Sequence, residues 1–509
     1  MNAARRLPLA VAAGAVAALG FEPWGLWPLS IAGLAGLFWL VERTSGARGG
    51  FATGWAFGWG HFVVSLTWIA TAFTYQAKMP AWLGWVAVVG LAMFLALYAG
   101  LAVALTQRLA RQPVARVLVL AAAWMAGEWL RGHLFTGFAW NPLGVAWLAT
   151  PIVAQLASLV GGLGLSALMV LAGGTVWLGA QHNRTTAVAT FGAICGFAVL
   201  ASALVVVDPP ASGPPIHLIQ PNIGQGEKYD AAVAEAHLRR YLALTTGALA
   251  RQPGAPPSLV VWSESSVLEP VEDDTALRLR LASALRPGDL LLFGGVAVVR
   301  DAQGFVRAVT NSLYVLDHGA RLHDRYDKAH LVPLGEYVPL RPLMERLGLA
   351  RLAAGDIDFA AGPGPATLAL PGFPAAGAQI CYEIIFPAAV VDARHRPAWL
   401  VNISNDAWFG PTGPPQHLAQ ARLRAIEEGL PVARATPSGL NALIDAQGHV
   451  LGSLPLGSSG VVSGLLPAAR PPTVFARFGH ATSAVLGLLL LTAGMVIDRR
   501  RNLGFATVI

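Results

Sequence analysis

The chain has 509 residues, of which 55% are hydrophobic and only 12% are charged. Soluble globular domains carry roughly 25% charged residues. The composition therefore excludes an ordinary soluble protein and predicts a membrane protein. The formal net charge of +7 resides in residues 1–207, which hold 10 Lys and Arg against 3 Asp and Glu, because residues 208–509 hold 25 of each sign. Since no basic patch with interleaved aromatic residues is visible, the positive charge does not indicate a nucleic-acid partner.

Eight apolar runs approach the roughly 20 residues that a helix needs to cross a bilayer. They are residues 7–20, 25–41, 51–73, 81–105, 114–130, 152–179, 186–207 and 480–497. The first run is short, but no small-residue cleavage pattern of a signal peptide follows it, so we expect it to be retained. We therefore predict about eight transmembrane helices. Seven form a membrane domain of residues 1–207, and the last lies in residues 478–509 together with a cytoplasmic basic tail.

Arginine residues decide the predicted orientation of these spans. If the connections alternate between the two sides, one side receives Arg5, Arg6, Arg43, Arg48, Arg108, Arg111, Arg116, Arg184, Arg499, Arg500 and Arg501. The positive-inside rule makes that side cytoplasmic, and both termini lie there. Residues 208–477 are then predicted to form a domain outside the cytoplasm, on the periplasmic side.

The predicted exported domain alternates between strand and helix patterns, which indicates an α/β fold. The strands are predicted at residues 216–220, 259–262, 290–299, 312–316, 378–381, 399–403 and 442–444. The helices are predicted at residues 231–249, 275–285, 384–393 and 416–428. Reactive side chains cluster at the ends of three of these strands, where binding and catalytic residues are often found.

Cys381 lies at the junction of a predicted strand and a predicted helix, where a thiol can act as a nucleophile. Glu264 ends another strand, and a third segment offers Lys328 and Glu336. Glu, Lys and Cys in this order suggest a catalytic triad. The second cysteine, Cys195, falls inside a predicted span, so Cys381 is the single cysteine of the predicted exported domain. Disulfides are permitted outside the cytoplasm, and an unpaired cysteine there favours a reactive role. A buried core thiol is the alternative interpretation of Cys381.

Lys328 is exceptional in composition. The 35 basic residues include only three lysines, Lys78, Lys228 and Lys328, and the others are arginines. An ammonium is compact and a guanidinium is planar, so the two are not interchangeable at a specific site. The use of lysine here favours a particular role for this side chain.

Three motifs resemble those of the carbon–nitrogen hydrolase (nitrilase) superfamily. They are Trp262-Ser-Glu264, Tyr326-Asp-Lys-Ala-His-Leu-Val-Pro-Leu-Gly-Glu336 and Ile380-Cys-Tyr-Glu383. The segments Gln220-Pro-Asn-Ile-Gly-Gln225 and Asn402-Ile-Ser-Asn-Asp-Ala-Trp-Phe-Gly410, with the flanking spans, narrow the resemblance to the apolipoprotein N-acyltransferase family over nearly the full chain. The resemblance implies an α-β-β-α sandwich on an eight-helix base in the bacterial inner membrane.

The resemblance also implies a reaction. A fatty acyl chain passes from a membrane phospholipid to the α-amino group of the N-terminal S-diacylglyceryl-cysteine of a lipoprotein, which is the final step of lipoprotein maturation. Cys381 would form a thioester, with Glu264 as general base. Lys328 and the backbone N–H of Tyr382 would stabilise the oxyanion. We expect a monomer without a cofactor, and no spacing of His, Cys, Asp or Glu predicts a metal site.

Four further residues receive supporting or lipid-binding roles. Glu336 is predicted to hold Lys328. Glu383 is predicted either to support catalysis or to cap the turn after Cys381, because a carboxylate is favoured at a helix N-terminus. Leu343 and Leu347 belong to an apolar stripe that is predicted to contact lipid, although a helix packed on its own domain is the alternative.

Two aromatic positions complete the predicted lipid contacts. Tyr229 stands where relatives often have Trp, and it is predicted to stack on lipid. Trp140 is predicted to anchor a loop at the membrane interface.

Two other functions fit parts of the sequence. A membrane-tethered amidase would use the same triad and transfer the acyl group to water, but it has no need of eight spans. A transporter with an inactive exported domain is the non-enzymatic alternative, and the absence of an evident internal repeat among the spans disfavours it.

Overall fold

The computed structural model describes residues 1–75, 80–182, 213–227, 231–250, 254–346 and 358–504, together with residues 184, 185, 188, 192 and 196. Helices dominate up to residue 182 and again from residue 474 onward. Between them, strands β1 to β12 and their helices form the α/β domain.

The helical part before the α/β domain contains eight α-helices among the described residues. They are α1 Ala3–Ala18, α2 Trp27–Glu42, α3 Gly46–Ser65, α4 Trp68–Ala72, α5 Leu83–Leu109, α6 Pro113–His133, α7 Pro151–Ala154 and α8 Ala157–Gln181. After the α/β domain follow α13 Val474–Phe478 and α14 His480–Gly504. Short 3₁₀ turns continue α4 at Phe73–Tyr75 and α6 at Leu134–Thr136.

Four described helices are long and apolar enough to cross a membrane, namely α5, α6, α8 and α14. A fifth candidate is the pair of α3 and α4, which is bent by 47°. Helices α1 and α2 have 16 residues each, and the predicted span 186–207 lies almost entirely outside the described residues. The count of eight spans therefore stays a prediction.

Lipid is the natural cover for the outer surface of these helices. Only 11% of the 18-residue apolar stretch of α14 is buried inside the protein, against 72% of the corresponding stretch of α8. Leu488 and Leu489 of α14 are each 63% exposed. A row of exposed leucines would be costly in water, so α14 is the peripheral helix and α8 is the central one.

The segment after α6 folds back into the protein. Arg131, near the end of α6, donates through Nη1 to the carbonyls of Phe138 and Trp140 at 3.0 and 2.6 Å. Glu128 accepts the Leu143 N–H at 2.9 Å. These two charged residues make hydrogen bonds with backbone groups of the segment, which allows Trp140 to be fully buried. The prediction of Trp140 as an anchor at the membrane surface was wrong.

The α/β domain contains two six-stranded sheets. The strands are β1 Pro215–Gln220, β2 Leu259–Val261, β3 Leu290–Arg300, β4 Val306–Asp317, β5 Leu322–Asp327, β6 Thr367–Leu368, β7 Ala376–Ile380, β8 Trp399–Ile403, β9 Val432–Ala435, β10 Ala442–Ile444, β11 Val450–Ser453 and β12 Gly460–Leu465. The first sheet has the order β12-β1-β2-β3-β4-β5, and the second has the order β11-β10-β9-β8-β7-β6. In each sheet three strands run parallel, namely β1, β2 and β3 in the first and β7, β8 and β9 in the second.

The two sheets pack face to face through alternate residues of their strands. Leu218 and Val261 of the first sheet share one core with Ala378 and Val401 of the second. Helices α9 Ala231–Ala250 and α10 Thr275–Ala282 cover the outer face of the first sheet. Helix α12 Gly413–Glu428 covers the outer face of the second sheet. The predicted α-β-β-α sandwich is therefore the observed layer order.

Helix α12 lies between the second sheet and the membrane domain. Ala421 and Ala425 face the sheet, whereas Ala419, Leu423 and Ile426 belong to the core formed by the membrane helices. The second sheet of the sandwich thus rests on the helical base through a buried helix. The short helix α11, Arg341–Arg346, follows β5 in the chain.

Candidate active site

Cys381 is the first residue after β7, and it opens a 3₁₀ turn, Cys381–Ile385. Its backbone is in the left-handed region, with φ of 54°. A non-glycine residue there costs of order 1–3 kcal/mol and persists only where its surroundings hold it. The predicted helix at residues 384–393 was wrong, because Phe386 precedes Pro387 and residues before proline avoid the helical region. The thiol therefore sits on a sharp, strained turn at the edge of the sheet.

The other two predicted triad residues also follow strands. Glu264 comes three residues after β2, and Lys328 comes directly after β5. The backbone at Glu264 lies against Gly294 of β3, where an added Cβ would come within 2.6 Å of the Glu264 Cα. A larger residue at position 294 would thus displace Glu264, so this glycine permits the close approach.

Lys328 is held by two carboxylates and is only 1% exposed. Its Nζ lies 2.9 Å from Glu336 Oε1 and 3.4 Å from Glu264 Oε1. Asn311 of β4 donates through Nδ2 to the same two oxygens, at 2.8 Å for Glu336 and 2.7 Å for Glu264. The Val332 N–H donates to the other oxygen of Glu336 at 2.8 Å. The structure therefore brings Glu264, Lys328 and Glu336 together in one network.

Electrostatics keep Lys328 charged. Burial alone would lower the pKa of Lys328, but the carboxylates of Glu336 and Glu264 outweigh burial, and the pKa lies above its ordinary value. The ammonium is thus a permanent positive charge beside the thiol at neutral pH. A fixed charge in a water-poor site is suited to stabilising an oxyanion.

The Cys381 thiol is protonated at rest. Burial raises its pKa above the ordinary value, and the Glu264 carboxylate raises the pKa further, while Lys328 opposes them. Because the thiolate is the attacking species, a base must take the proton when attack begins. Glu264 is the carboxylate with the largest electrostatic effect on this thiol.

Glu383 joins two parts of the site. Its Oε1 accepts from the Tyr326 hydroxyl at 2.7 Å and from the N–H groups of Ala329 and His330 at 2.8 and 3.0 Å. Its Oε2 accepts from the Ile380 N–H at 2.7 Å. Of the two roles predicted for Glu383, these contacts favour the structural one. The carboxylate fixes the backbone after Lys328 against the backbone before Cys381.

Tyr382 connects the turn to the membrane domain. Its hydroxyl donates to the Gly137 carbonyl at 3.1 Å, and its ring packs beside Phe138 and Phe386. The His330 ring stacks on Phe386 at 3.9 Å between centroids. Since the Tyr382 side chain is used for packing, only its backbone N–H remains for the predicted oxyanion role.

A cavity of about 240 Å³ lies where the helical base meets the α/β domain. The base contributes Arg131, His133 and His480 to its walls, and the α/β domain contributes His330 and Phe386. The latter two residues pack on Tyr382, the neighbour of Cys381. The space between the two domains thus extends toward the strained turn.

The predicted lipid contacts are largely untested by the structure. Tyr229 and Leu347 lie outside the described residues, and Leu343 falls within α11. Leu340, just before α11, is 73% exposed.

The sequence patterns missed a buried polar cluster beneath Cys381. Arg434 Nη2 lies 2.7 Å from both carboxylate oxygens of Asp406, and the His417 ring lies between Asp406 and the Cys381 carbonyl. Asp406 was part of a motif used for the resemblance, but no role followed from it. Asn311 was also missed, because it lies just before the strand predicted at residues 312–316, and the observed β4 begins earlier, at Val306.

Comparisons with known families cover both halves of the chain. Residues 13–175 match the family described as apolipoprotein N-acyltransferase N-terminal domain. Residues 218–470 match the carbon–nitrogen hydrolase family. The first match covers most of the helical base, and the second covers the sandwich.

Full-length relatives carry one common name. The apolipoprotein N-acyltransferases of Rhodopseudomonas palustris and Bradyrhizobium diazoefficiens are 36% and 37% identical to this chain. Each alignment covers 98% of this chain and 96% or 95% of the relative, respectively.

Among solved structures, an amidase of the nitrilase superfamily from Nesterenkonia is similar with a TM-score of 0.37 and 18% identity. That similarity covers 54% of this chain and 97% of the amidase.

Proposed function

Since this chain belongs to the apolipoprotein N-acyltransferase family, as its motifs predicted, we propose that it acylates lipoproteins through a thioester on Cys381. The single observation that carries this mechanism is the buried contact network of Glu264, Lys328 and Glu336, together with the Cys381 thiol on a strained turn. The acyl donor is a membrane phospholipid, and the acceptor is a diacylglyceryl lipoprotein.

The first half-reaction loads the enzyme. Glu264 takes the thiol proton while the Cys381 sulfur attacks an ester carbonyl of the phospholipid. Lys328 and the Tyr382 N–H stabilise the oxyanion. When the intermediate collapses, the ester C–O bond breaks and Glu264 returns the proton to the leaving glycerol oxygen. The products are a lysophospholipid and an acyl thioester on Cys381.

The second half-reaction unloads the enzyme. The α-amino group of the lipoprotein attacks the thioester carbonyl, and Glu264 accepts a proton from the amine. The same oxyanion site stabilises the second intermediate. Its collapse breaks the C–S bond, the proton moves from Glu264 to the sulfur, and an amide is formed. Two products leave in two separate steps, so the kinetics are of the ping-pong type.

The location of the active site favours a lipid substrate over a soluble amide. Tyr382 and Phe386 share a core with Trp68 and Trp140 of the helical base. The cavity beside them has walls from both domains. A hydrolase of soluble amides has no use for such a base, and a dry site also protects a thioester from water. The proposed lipid contacts of Tyr229, Leu343 and Leu347 would extend this surface, and a monomer suffices for the reaction.

The test of the function is the fate of a labelled acyl chain. Purified protein in phospholipid vesicles with a radiolabelled acyl donor should transfer the label to the amine of a synthetic diacylglyceryl lipopeptide. Release of the label as free fatty acid would identify an amidase-like hydrolase instead. Absence of both transfer and release would contradict an enzymatic role.

The proposed topology has eight spans, both termini in the cytoplasm and residues 208–477 in the periplasm. It is supported by the distribution of arginines and by the family of the chain. A phosphatase reporter, which is active only outside the cytoplasm, should be active when fused after Pro210 and inactive when fused after Arg184. The opposite pattern of activities would overturn the topology.

A further inference from the structure

Helix α12, Gly413–Glu428, is buried on nearly all sides, yet it is rich in polar residues. His417, Gln420 and Glu427 are each 0% exposed. Helices that are buried all round are normally apolar all round, and buried polar groups are normally hydrogen-bonded. Most of the polar residues of α12 have such partners, and these partners belong to two different parts of the molecule.

One set of partners is the turn that carries the nucleophile. The His417 Nε2 lies 3.1 Å from the Cys381 carbonyl oxygen. Two helical turns later, Arg424 donates through Nη1 to the Ile385 carbonyl at 3.2 Å. Cys381 and Ile385 are the two ends of the 3₁₀ turn. Helix α12 thus holds this five-residue turn at both ends through backbone carbonyls.

The other set of partners is the helical base. The Gln416 Oε1 accepts from the Trp140 indole N–H and from the Asn141 amide, both at 2.8 Å. Near the other end of the helix, the Glu427 Oε1 accepts from the Gly162 N–H at 2.7 Å. Gln416 is adjacent to His417, so one turn of α12 contacts both the base and the nucleophile.

The orientation of His417 follows from its surroundings. The Cys381 carbonyl can only accept, so His417 Nε2 carries the proton and donates. On the other side of the ring, Nδ1 lies 3.0 Å from Asp406 Oδ1 and 3.0 Å from Arg434 Nη2. Burial and the charge of Arg434 lower the pKa of His417, and the Asp406 carboxylate opposes them. Asp406, paired with Arg434, fixes that guanidinium and thereby fixes the ring.

We propose that His417 is a positioning residue that keeps Cys381 in its left-handed conformation, and that Gln416 makes the helical base part of the same support. The inference depends on the proposed role of Cys381 as nucleophile. Neither residue touches substrate. Each acts on the reaction only by fixing the direction in which the thiol points.

The test of His417 uses a matched pair of variants. In His417→Gln the side-chain amide can still reach the Cys381 carbonyl, whereas in His417→Asn it reaches only the position of Nδ1. A misplaced reacting group costs on the order of 100-fold in rate. We therefore expect His417→Asn to slow acyl-enzyme formation at saturating phospholipid by about 100-fold and His417→Gln by less than about 10-fold, with an unchanged KM for phospholipid in both.

A second measurement is the rate at which iodoacetamide alkylates Cys381. A merely structural role of His417 would not change this rate selectively. Alkylation should slow in His417→Asn more than in His417→Gln, while the two variants melt at similar temperatures. Equal rates in the two variants would overturn the proposal for His417. If the wild-type protein itself forms no acyl-enzyme, the proposed function fails. A slower reaction of His417→Asn could then no longer be attributed to the positioning of a nucleophile.

The link to the base has its own control on the same helix. Gln416→Met removes the acceptor of Trp140 and Asn141. Gln420→Met makes the same change at a buried glutamine whose side-chain amide has no hydrogen-bond partner among the described residues. We expect Gln416→Met to slow acyl-enzyme formation by about 10-fold, which corresponds to the roughly 1.4 kcal/mol of one hydrogen bond, and Gln420→Met to leave the rate unchanged. A similar effect in both variants would contradict the role of Gln416.

Discussion

Incubation of the purified protein with phospholipid alone should add one acyl chain to the peptide that contains Cys381. The reason is that the donor reacts first and leaves as lysophospholipid before any amine is needed. Intact-mass spectrometry should find the adduct, and peptide mapping should locate it. Hydroxylamine, which cleaves thioesters, should remove it, and the addition of lipopeptide should discharge it to the amine.

Variants of the proposed nucleophile and base sharpen this result. Cys381→Ala should carry no acyl chain and should lose activity by roughly 1,000-fold or more, as nucleophile removals in catalytic triads do. Cys381→Ser should lose most activity, because an unactivated hydroxyl is a far weaker nucleophile than a thiolate. Glu264→Gln should form no adduct, since the thiol stays protonated without a base. Full activity in Cys381→Ala would remove Cys381 from the mechanism.

Lys328→Arg should be inactive although it preserves the positive charge. The Lys328 side chain is 1% exposed, and its Nζ fits between Glu264 and Glu336. A guanidinium is larger and planar, so it cannot occupy this space and direct one donor at the oxyanion. Loss of one such donor costs roughly 100- to 1,000-fold in rate. Single-turnover acylation of Cys381 is the appropriate measurement, because it isolates the first half-reaction.

The control for this substitution is Lys78→Arg, which makes the same chemical change in a predicted loop between spans. Its transfer activity should equal that of the wild type. A melting curve of Lys328→Arg should show whether the protein still folds, and Lys328→Met, which is uncharged and similar in length, provides a second inactive variant with less crowding. Full activity in Lys328→Arg would show that only the charge of residue 328 matters.

The sequence predicted the site better than the contacts around it. Strands expected at residues 399–403 and 442–444 are observed with the same bounds, because apolar runs between turn residues define buried strands well. Strand β5, Leu322–Asp327, was missed since charged residues interrupt it. Glu264, Lys328 and Glu336 lie in one contact network, and Glu264 and Lys328 both follow strands, as predicted.

The junction of the two domains could not be read from the sequence. Trp140 looked like a membrane anchor, as tryptophans beside spans often are. Its actual partner, Gln416, lies 276 positions away in the chain, and no local periodicity reports such a pair. For the same reason, the helix predicted at residues 416–428 gave no sign that its polar residues have buried partners. Tertiary packing decided both cases.

The pairing of the first and last strands of the sandwich has a consequence for how the protein is made. Pro215 of β1 lies opposite Leu465 of β12, and the two strands are antiparallel neighbours. Almost the whole domain is therefore synthesised while β1 presents an unpaired edge, and such edges are templates for misassembly. Strand β12 closes that edge only just before α14 emerges. Completion of the sheet and insertion of the last helix should thus be nearly simultaneous events, and a chain that stalls before residue 460 would carry an open sheet edge.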